Sequence, residues 1–360
     1  MARIVYGVSG EGSGHSSRAR EILSHLIKSG HEVKVASYDR GYRNLSDQFD
    51  VHEITGLTIV SNDNKISPIR TLLENLKGLP DGVKSFRKTR KQLFKQFQPE
   101  FVITDFEPTT AYLANYYNIP LISLDNQHRM RYMEYSRPSD LAKDALVTEA
   151  VIKAMVPKPD VSLVTTFHFG KIKNHHTYLF PPILREAVLS LTPSVKDHIL
   201  VYATSGFETL LDQLKDYSRE TFVVYGYDKD EQEGNIQYRP FSKTGFLEDL
   251  AACKAVIATA GFTLITESLY LAKPYLALPM KGQFEQALNA LMLNELGYGK
   301  ASFDLKKDDI ATFLYQLPEY TENLIDYPRQ GNQKITAFID ELLEAGGDKL
   351  QNVSRHSNRK

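Results

Sequence analysis

Short apolar runs rich in β-branched residues recur along this 360-residue chain, and each is followed by a stretch whose apolar residues return at helical spacing. RIVYGV (3–8) leads into a segment where Ala19, Ile22, Leu23, Leu26 and Ile27 fall on one helical face, with Gly30 placed to end it. HEVKVASY (31–38) then reads as a second strand. Strand, helix, strand in that order demands a parallel sheet, because a parallel neighbour is reached only by a crossover that covers one face. FVITD (101–105) and PLISL (120–124), separated by the helical TTAYLANYYN, sustain the alternation. A second cycle starts at ILVYAT (199–204). It runs through TFVVYG (221–226), the helical FLEDLAACK (246–254), AVIAT (255–259), a helix over about 263–272 and PYLALP (274–279). The pattern predicts an α/β protein of two doubly wound domains facing each other.

The first domain is expected over 1–186 and the second over 198–328. Between them REAVLSLTPSVKD (185–197), with its Pro193, breaks the alternation, and 187–197 is read as a linker. A last helix, 329–345, ends near Gly346 and is expected to return to the N-terminal domain; the polar tail 346–360 is read as disordered. A composition of 42% hydrophobic and 24% charged residues belongs to an ordinary globular protein, and a formal net charge of −1 argues against a nucleic-acid partner. The single cysteine, Cys253, excludes an internal disulfide framework and a multi-cysteine metal site. Neither a signal-peptide pattern nor an apolar run of membrane-spanning length is found, so a cytoplasmic protein is expected.

GEGSGHSSRAREIL (10–23) places a glycine-rich turn between the first strand and its helix. A dinucleotide fingerprint needs a third glycine, which falls on His15 when counted from Gly10 and on Ser17 when counted from Gly12. Asp39, at the end of the second strand, is placed to hold a ribose, which keeps a dehydrogenase reading in view. A Walker loop fails for want of G-K-[ST]. The glycines Gly12 and Gly14 then serve a turn open to a ligand, with an imidazole at a helix N-terminus. The helix dipole disfavours imidazolium there, and a neutral imidazole can take a proton from a hydroxyl as a general base. The competing reading of His15 is a capping histidine.

ATAGFTLITESLYLAKPYLALPMKGQFEQALNA (258–290) gives the second constellation. A strand ends at Thr259, the turn holds Gly261, and a helix begins at about Thr263, which makes an amide-lined site suited to a pyrophosphate. Glu267, one turn on, can accept from two vicinal hydroxyls such as those of a ribose. Glu285 beside Gln286, with Asn289 just beyond, suits several sugar hydroxyls.

This pattern, A-G-F-T-x3-E-x4-A-K-P-x4-P-x5-E-Q-x2-N, resembles the donor signature of the two-domain GT-B glycosyltransferases, nearest to the nucleotide-sugar transferases of families 1 and 28. The resemblance implies two Rossmann-like domains facing across a cleft and transfer of a sugar from a nucleotide-diphosphate sugar, a UDP-sugar by family, to a hydroxyl acceptor. It implies inversion in a single displacement, without a metal and with no cofactor beyond the donor. Glu267 would hold the ribose, and Glu285 and Gln286 the sugar. The amides of Gly261, Phe262 and Thr263 would meet the diphosphate, helped by the Ser205-Gly206 turn. Thr259 stands where the plant signature has histidine, and Thr263-Leu264 where it has Asn-Ser, so hydroxyls of Thr259 and Thr263 replace part of the phosphate clamp. Phe241 lies where these enzymes set a ring against the base, with core packing as the alternative; Phe246 is read as core. Family 1 pairs the turn histidine with an aspartate after a mid-domain strand, here Asp105 in FVITDFEP. Asp105 could instead cap the helix beginning near Thr109, and Glu107 is a competing partner or base.

Other segments admit two readings. KSFRKTRKQLFKQF (84–97) interleaves Lys and Arg with Phe86, Leu93, Phe94 and Phe97. It fits either a helix lying on anionic lipid, as a lipid-linked acceptor would need, or a solvated helix leading into the next strand. DKD (228–230) reads as a solvated turn and His175-His176 as surface or packing, so no metal is expected. The loop around Ser61–Ser67, and Asn126, Gln127 and His128 after a strand, are acceptor-side elements without an assigned role. Two rivals share the architecture: a nucleotide-sugar 2-epimerase, and a protein that binds the nucleotide sugar without turning it over.

Overall fold

The computed structural model describes residues 1–56, 61–62, 65–66, 79–136, 138–203 and 206–346. Ser205, most of the Ser61–Ser67 loop and the tail from residue 347 lie outside the described residues. The chain divides into two compact units. Unit 1 comprises Met1–Val60, Ile66–Arg185 and Gly331–Lys360; unit 2 comprises Ser61–Lys65 and Glu186–Gln330.

Unit 1 is built on β1 (Arg3–Val8), β2 (Glu32–Ser37) and β3 (Val51–Glu53); β4 (Ser61–Asn62) and β5 (Lys65–Ile66) form a separate two-stranded sheet outside its main sheet. The sheet continues with β6 (Phe101–Asp105), β7 (Leu121–Asp125), β8 (Val161–Thr165) and β9 (Thr177–Phe180), in the order β3-β2-β1-β6-β7-β8-β9. All six ladders of this sheet are parallel. Alternate side chains serve opposite faces, as the two-residue strand period requires. Ile4, Tyr6 and Val8 pack with Ile22, Leu23 and Leu26 of helix Gly14–Lys28, while Val5 faces Leu93, Phe94, Ala111 and Ala114.

The last helix, Gln333–Ala345, lays Ile335, Ile339 and Leu343 into the first of these clusters. Leu184 and Asn332 exchange two hydrogen bonds where the chain leaves unit 1 and where it returns. The segment expected as a linker is bonded to unit 2: Ser194 N–H donates to Ala251 O, Lys196 N–H to Ala252 O, and buried Lys273 donates to Ser194 O.

Unit 2 has a second seven-stranded sheet. Its strands are β10 (His198–Tyr202), β11 (Thr221–Tyr225), β12 (Glu231–Glu233), β13 (Ile236–Tyr238), β14 (Ala255–Thr259), β15 (Tyr275–Leu278) and β16 (Gly299–Ala301). The order is β12-β13-β11-β10-β14-β15-β16, and only the β12–β13 pair is antiparallel.

In each sheet the strand order reverses beside its first strand, between β1 and β6 and between β10 and β14. Loops leaving the carboxyl ends of strands part at such a point, and open α/β sheets bind ligands there. In unit 1 those loops carry Ser9–Ser13 and Phe106–Glu107; in unit 2 their described residues include Ala203, Gly206, Phe207 and Ala260–Gly261.

The basic run forms helix Leu79–Thr89 followed by a π-helical turn, Arg90–Gln96. Leu93, Phe94 and Phe97 are core, and only Phe86 of the four apolar residues is exposed. Burying each such side chain stabilises the fold by about 1.5–3 kcal/mol, so the aromatic interleaving is largely used inside the unit. Among the described residues no helix is long and apolar enough to cross a membrane.

Candidate active site

Helix Gly14–Lys28 opens directly after the glycine turn. Gly12 has φ +74°, a left-handed conformation that side chains resist, and its missing Cβ faces open space. His15 is the second residue of this helix and is 8% exposed. Its Nδ1 lies 2.6 Å from Asp105 Oδ1, and Asp105, the last residue of β6, is fully buried. The Phe106 ring lies parallel to the imidazole at 6.3 Å. Phe106 has φ +57°, an outlier for a bulky residue of the kind that gathers at functional sites.

Glu107 takes the capping duty. It precedes Pro108, its Oε1 accepts from Thr109 N–H and its Oε2 from Thr110 N–H, each at 2.7 Å. The Thr110 hydroxyl adds a third bond at 2.6 Å. The reading of Glu107 as the base or as the partner of His15 is therefore corrected, and so is the reading of Asp105 as the cap. Burial raises the Glu107 pKa, against the opposing pull of bonds from Thr110 and Thr109.

Arg18, one turn after His15, escaped the reading of the sequence. It is 6% exposed and grips Asp105 with two parallel bonds, Nε to Oδ2 at 2.6 Å and Nη2 to Oδ1 at 2.5 Å. Nη1 donates to Asn126 Oδ1 at 2.6 Å, and Nη2 reaches Gln127 Oε1 at 3.5 Å. Burial lowers the guanidinium pKa and the charge and bonds of Asp105 outweigh it, leaving it raised. The available signal was an arginine on the same helical face as Ala19 and Ile22, where a long charged side chain needs a buried partner.

Arg18 Nη2 also lies 2.8 Å from His15 Nδ1. One ring nitrogen cannot both donate to Asp105 and accept from Arg18. A carboxylate oxygen 2.6 Å from a bare ring nitrogen would face its lone pair, so the proton is assigned to Nδ1, and Nη2 spends its hydrogens on Asp105 and Gln127. Nε2 is then the basic nitrogen.

Farther along the same sheet edge, His128 donates its N–H to Asp125 Oδ1 at 2.8 Å and sets Nδ1 2.7 Å from Oδ2, with both residues fully buried. Burial raises the Asp125 pKa, but the charge and bonds of His128 prevail and leave it lowered.

In unit 2, Gly261 caps helix Phe262–Tyr270. Its N–H donates to Thr259 O at 2.8 Å, so this amide is committed to the turn. The first intrahelical bond runs from Ile265 N–H to Gly261 O, which leaves the Thr263 amide to an outside acceptor. Tyr275 Oη donates to Thr259 O at 2.7 Å and Asn289 Nδ2 to Ala260 O at 2.8 Å, and together they brace the turn. Asn289 thus works on the backbone from inside the fold, where it is fully buried. Glu267 is 2% exposed. Glu285 and Gln286 are half-buried in the first turn of helix Phe284–Glu295, and Gln286 bonds Met280 N–H and the Gln283 side chain.

Two expectations change. Gly206 N–H is held by both oxygens of Glu208 at 3.1 Å, which puts a carboxylate where a phosphate contact was expected. Phe241 is 68% exposed, so its ring is not packed in the core. Phe246 meets Tyr202 and Tyr225 edge-on. Residues 228–230 are exposed, as expected of a solvated turn. Among the described residues no three His, Cys, Asp or Glu side chains gather as a metal site.

Comparison with known proteins decides the family. The pattern that defines glycosyl transferase family 1 matches residues 2–318. The chain belongs to that family. A protein of Methanosarcina acetivorans named as an uncharacterized glycosyltransferase is 24% identical over 334 residues, covering 83% of this chain and 85% of that one. The fold of this glycosyltransferase is the GT-B fold. Its chain superposes on CalG4, the calicheamicin glycosyltransferase, with a TM-score of 0.67 at 15% identity, covering 96% of this chain and 98% of that one. The Streptomyces sp. SF2575 glycosyltransferase SsfS6, complexed with thymidine diphosphate, gives 0.59 at 16% identity over 95% and 100%.

Proposed function

We propose that this glycosyltransferase moves a sugar from a nucleotide-diphosphate sugar to a hydroxyl acceptor with inversion, using His15 as general base. The observation that carries the reading is the His15–Asp105 bond of 2.6 Å, which leaves Nε2 to take the acceptor's proton. The acceptor oxygen forms its bond to the anomeric carbon as the bond to the diphosphate oxygen breaks. The diphosphate leaves with that electron pair, and the proton goes to Nε2. Asp105 orients the ring and balances the imidazolium.

The donor is assigned to unit 2. Gly261 has an ordinary φ of −69° and open space where a Cβ would stand, so the helix cap that glycine suits also leaves its backbone open to the close approach of a ligand. The Thr263 amide and the hydroxyls of Thr259 and Thr263 would then meet the diphosphate, Phe241 the base and Glu267 the ribose, with Glu285 and Gln286 toward the sugar. Helix-terminal amides stabilise the leaving charge, and the mechanism proposed needs neither a metal nor a cofactor beyond the donor. A pyrimidine nucleotide is favoured: UDP by the resemblance of the signature, thymidine diphosphate by the complex of SsfS6. Cys253, buried and unpaired with any other cysteine, is in keeping with a cytoplasmic setting. With three of its four apolar residues in the core, the 84–97 segment offers a lipid-linked acceptor chiefly a basic face.

The test is calorimetry with UDP, thymidine diphosphate and GDP, followed by turnover with the matching sugar donor in chelator. Selective binding of one diphosphate and a product of inverted anomeric configuration support the reading. A product that keeps the donor's configuration overturns the single displacement.

A further inference from the structure

Asp105 has one carboxylate and two partners, and the two contacts are not alike. His15 meets Oδ1 alone, while Arg18 holds both oxygens in a fork and is itself tied to Asn126, at the end of β7. A planar guanidinium bonded through two parallel N–H groups fixes a carboxylate's rotation as well as its place, which a single bond from a ring nitrogen does not. Arg18 shares a helix face with His15, so the same rigid element carries the base and the group that aims the base's partner.

We infer that Arg18 is a positioning residue of the transfer reaction: it holds Asp105 in the rotamer that presents Oδ1 to His15 Nδ1, and it shares the carboxylate's negative charge with the imidazole. Asn126 acts one step behind, as the anchor of Arg18. The inference rests on the reading of His15 as the base. It adds two separable contributions, one of geometry and one of charge. Geometry keeps Nε2 directed at the acceptor. Charge sharing sets how strongly the carboxylate favours an imidazolium, since the bond that His15 makes is to an oxygen that already accepts a bond from the Arg18 cation. The other ionisable groups around this cluster are Tyr6 on β1 and Asp125 on β7, both coupled electrostatically to Arg18. Glu107 faces its own helix and is occupied there.

The experiment measures kcat and KM against pH for the wild type, Arg18→Lys, Arg18→Met and His15→Ala, with melting temperature and nucleotide-diphosphate affinity for each. Lysine keeps the charge but cannot fork, so Arg18→Lys should lose about 10–100-fold in kcat with KM and diphosphate affinity kept, the scale of a misdirected catalytic group. Methionine removes the charge as well. The whole carboxylate then bears on His15, and the acid limb of kcat/KM should move to higher pH by about 1 unit or more. Should Arg18→Met fail to fold, Arg18→Lys carries the test alone. Wild-type kcat in Arg18→Lys overturns the inference. So does a loss of activity in step with the folded fraction and an unmoved pH profile. Unchanged turnover in His15→Ala overturns instead the reading beneath it, whatever the Arg18 variants do.

Discussion

Asp105 and Glu107 stand two residues apart and their carboxylates do different work: Asp105 turns inward to His15 and Arg18, and Glu107 turns to the amides of Thr109 and Thr110. Phe106 between them is in the left-handed region, with φ +57°. The catalytic assignment follows from that division.

His15→Ala should lower turnover by about 10²–10⁴-fold, the usual scale of a general base, while the affinity for nucleotide diphosphate stays within a factor of about two. Steady-state kinetics and calorimetry on the same preparation check it. Loss of diphosphate binding together with turnover would mean that the substitution disturbed more than the base.

Asp105→Asn should cost both activity and stability. Amide in place of carboxylate leaves Arg18 as an uncompensated buried cation, and breaking such a pair destabilises by about 3–5 kcal/mol. Adding Arg18→Met removes the stranded charge, so the double variant should melt above Asp105→Asn yet stay inactive. Thermal melts of the three proteins decide the matter. A double variant that melts below Asp105→Asn would show the two residues not to be an interdependent pair.

Glu107→Gln should leave kcat near the wild-type value, because Glu107 caps a helix and touches no reacting group in the proposed mechanism. Its signature is in stability against pH. Burial raises the Glu107 pKa above the ordinary 4.5, with bonds from Thr110 and Thr109 opposing the shift. An acid with a raised folded pKa holds its proton more tightly in the folded state. Its contribution to stability is therefore fully present below 4.5 and is lost as pH rises through the folded value. Glutamine does not ionise, so the stability deficit of Glu107→Gln should be largest at low pH and shrink as pH rises through that window. Urea unfolding at several pH values reads it directly, and a deficit that grows with pH would contradict the shift.

Asn289→Ala removes the brace on Ala260 O from inside unit 2. The loss of one buried hydrogen bond, about 1 kcal/mol, should weaken nucleotide-diphosphate binding by about 5–10-fold as the turn loosens. Glu267→Ala should weaken it further. An Asn289→Ala protein with wild-type diphosphate affinity would detach this turn from the donor.

Local spacing was enough to read the two α/β units, since strand and helix periods repeat within a few residues, and a glycine turn and a histidine within one loop are legible side by side. The sequence by itself thus determined the fold class, the glycine turn carrying His15 and the strand–turn–helix at Gly261, while the bracing of that turn by Tyr275 and Asn289 emerged only in the folded chain. Tertiary structure decided between the two acids offered to His15: the resemblance pointed to Asp105 with Glu107 as competitor, and the folded chain brings Asp105 to the imidazole while Glu107 caps the helix that Pro108 opens. It alone revealed Arg18, whose partners lie 87 and 108 residues away on two other strand ends. It also withdrew Gly206 and showed Phe241 to be exposed, since the loop path that sets Glu208 on an amide and a ring in solvent leaves no periodic trace. Periodicity reports which face of an element is buried. The direction of a buried charge is set by the partners that desolvation forces it to find, and those are brought together only by the sheet.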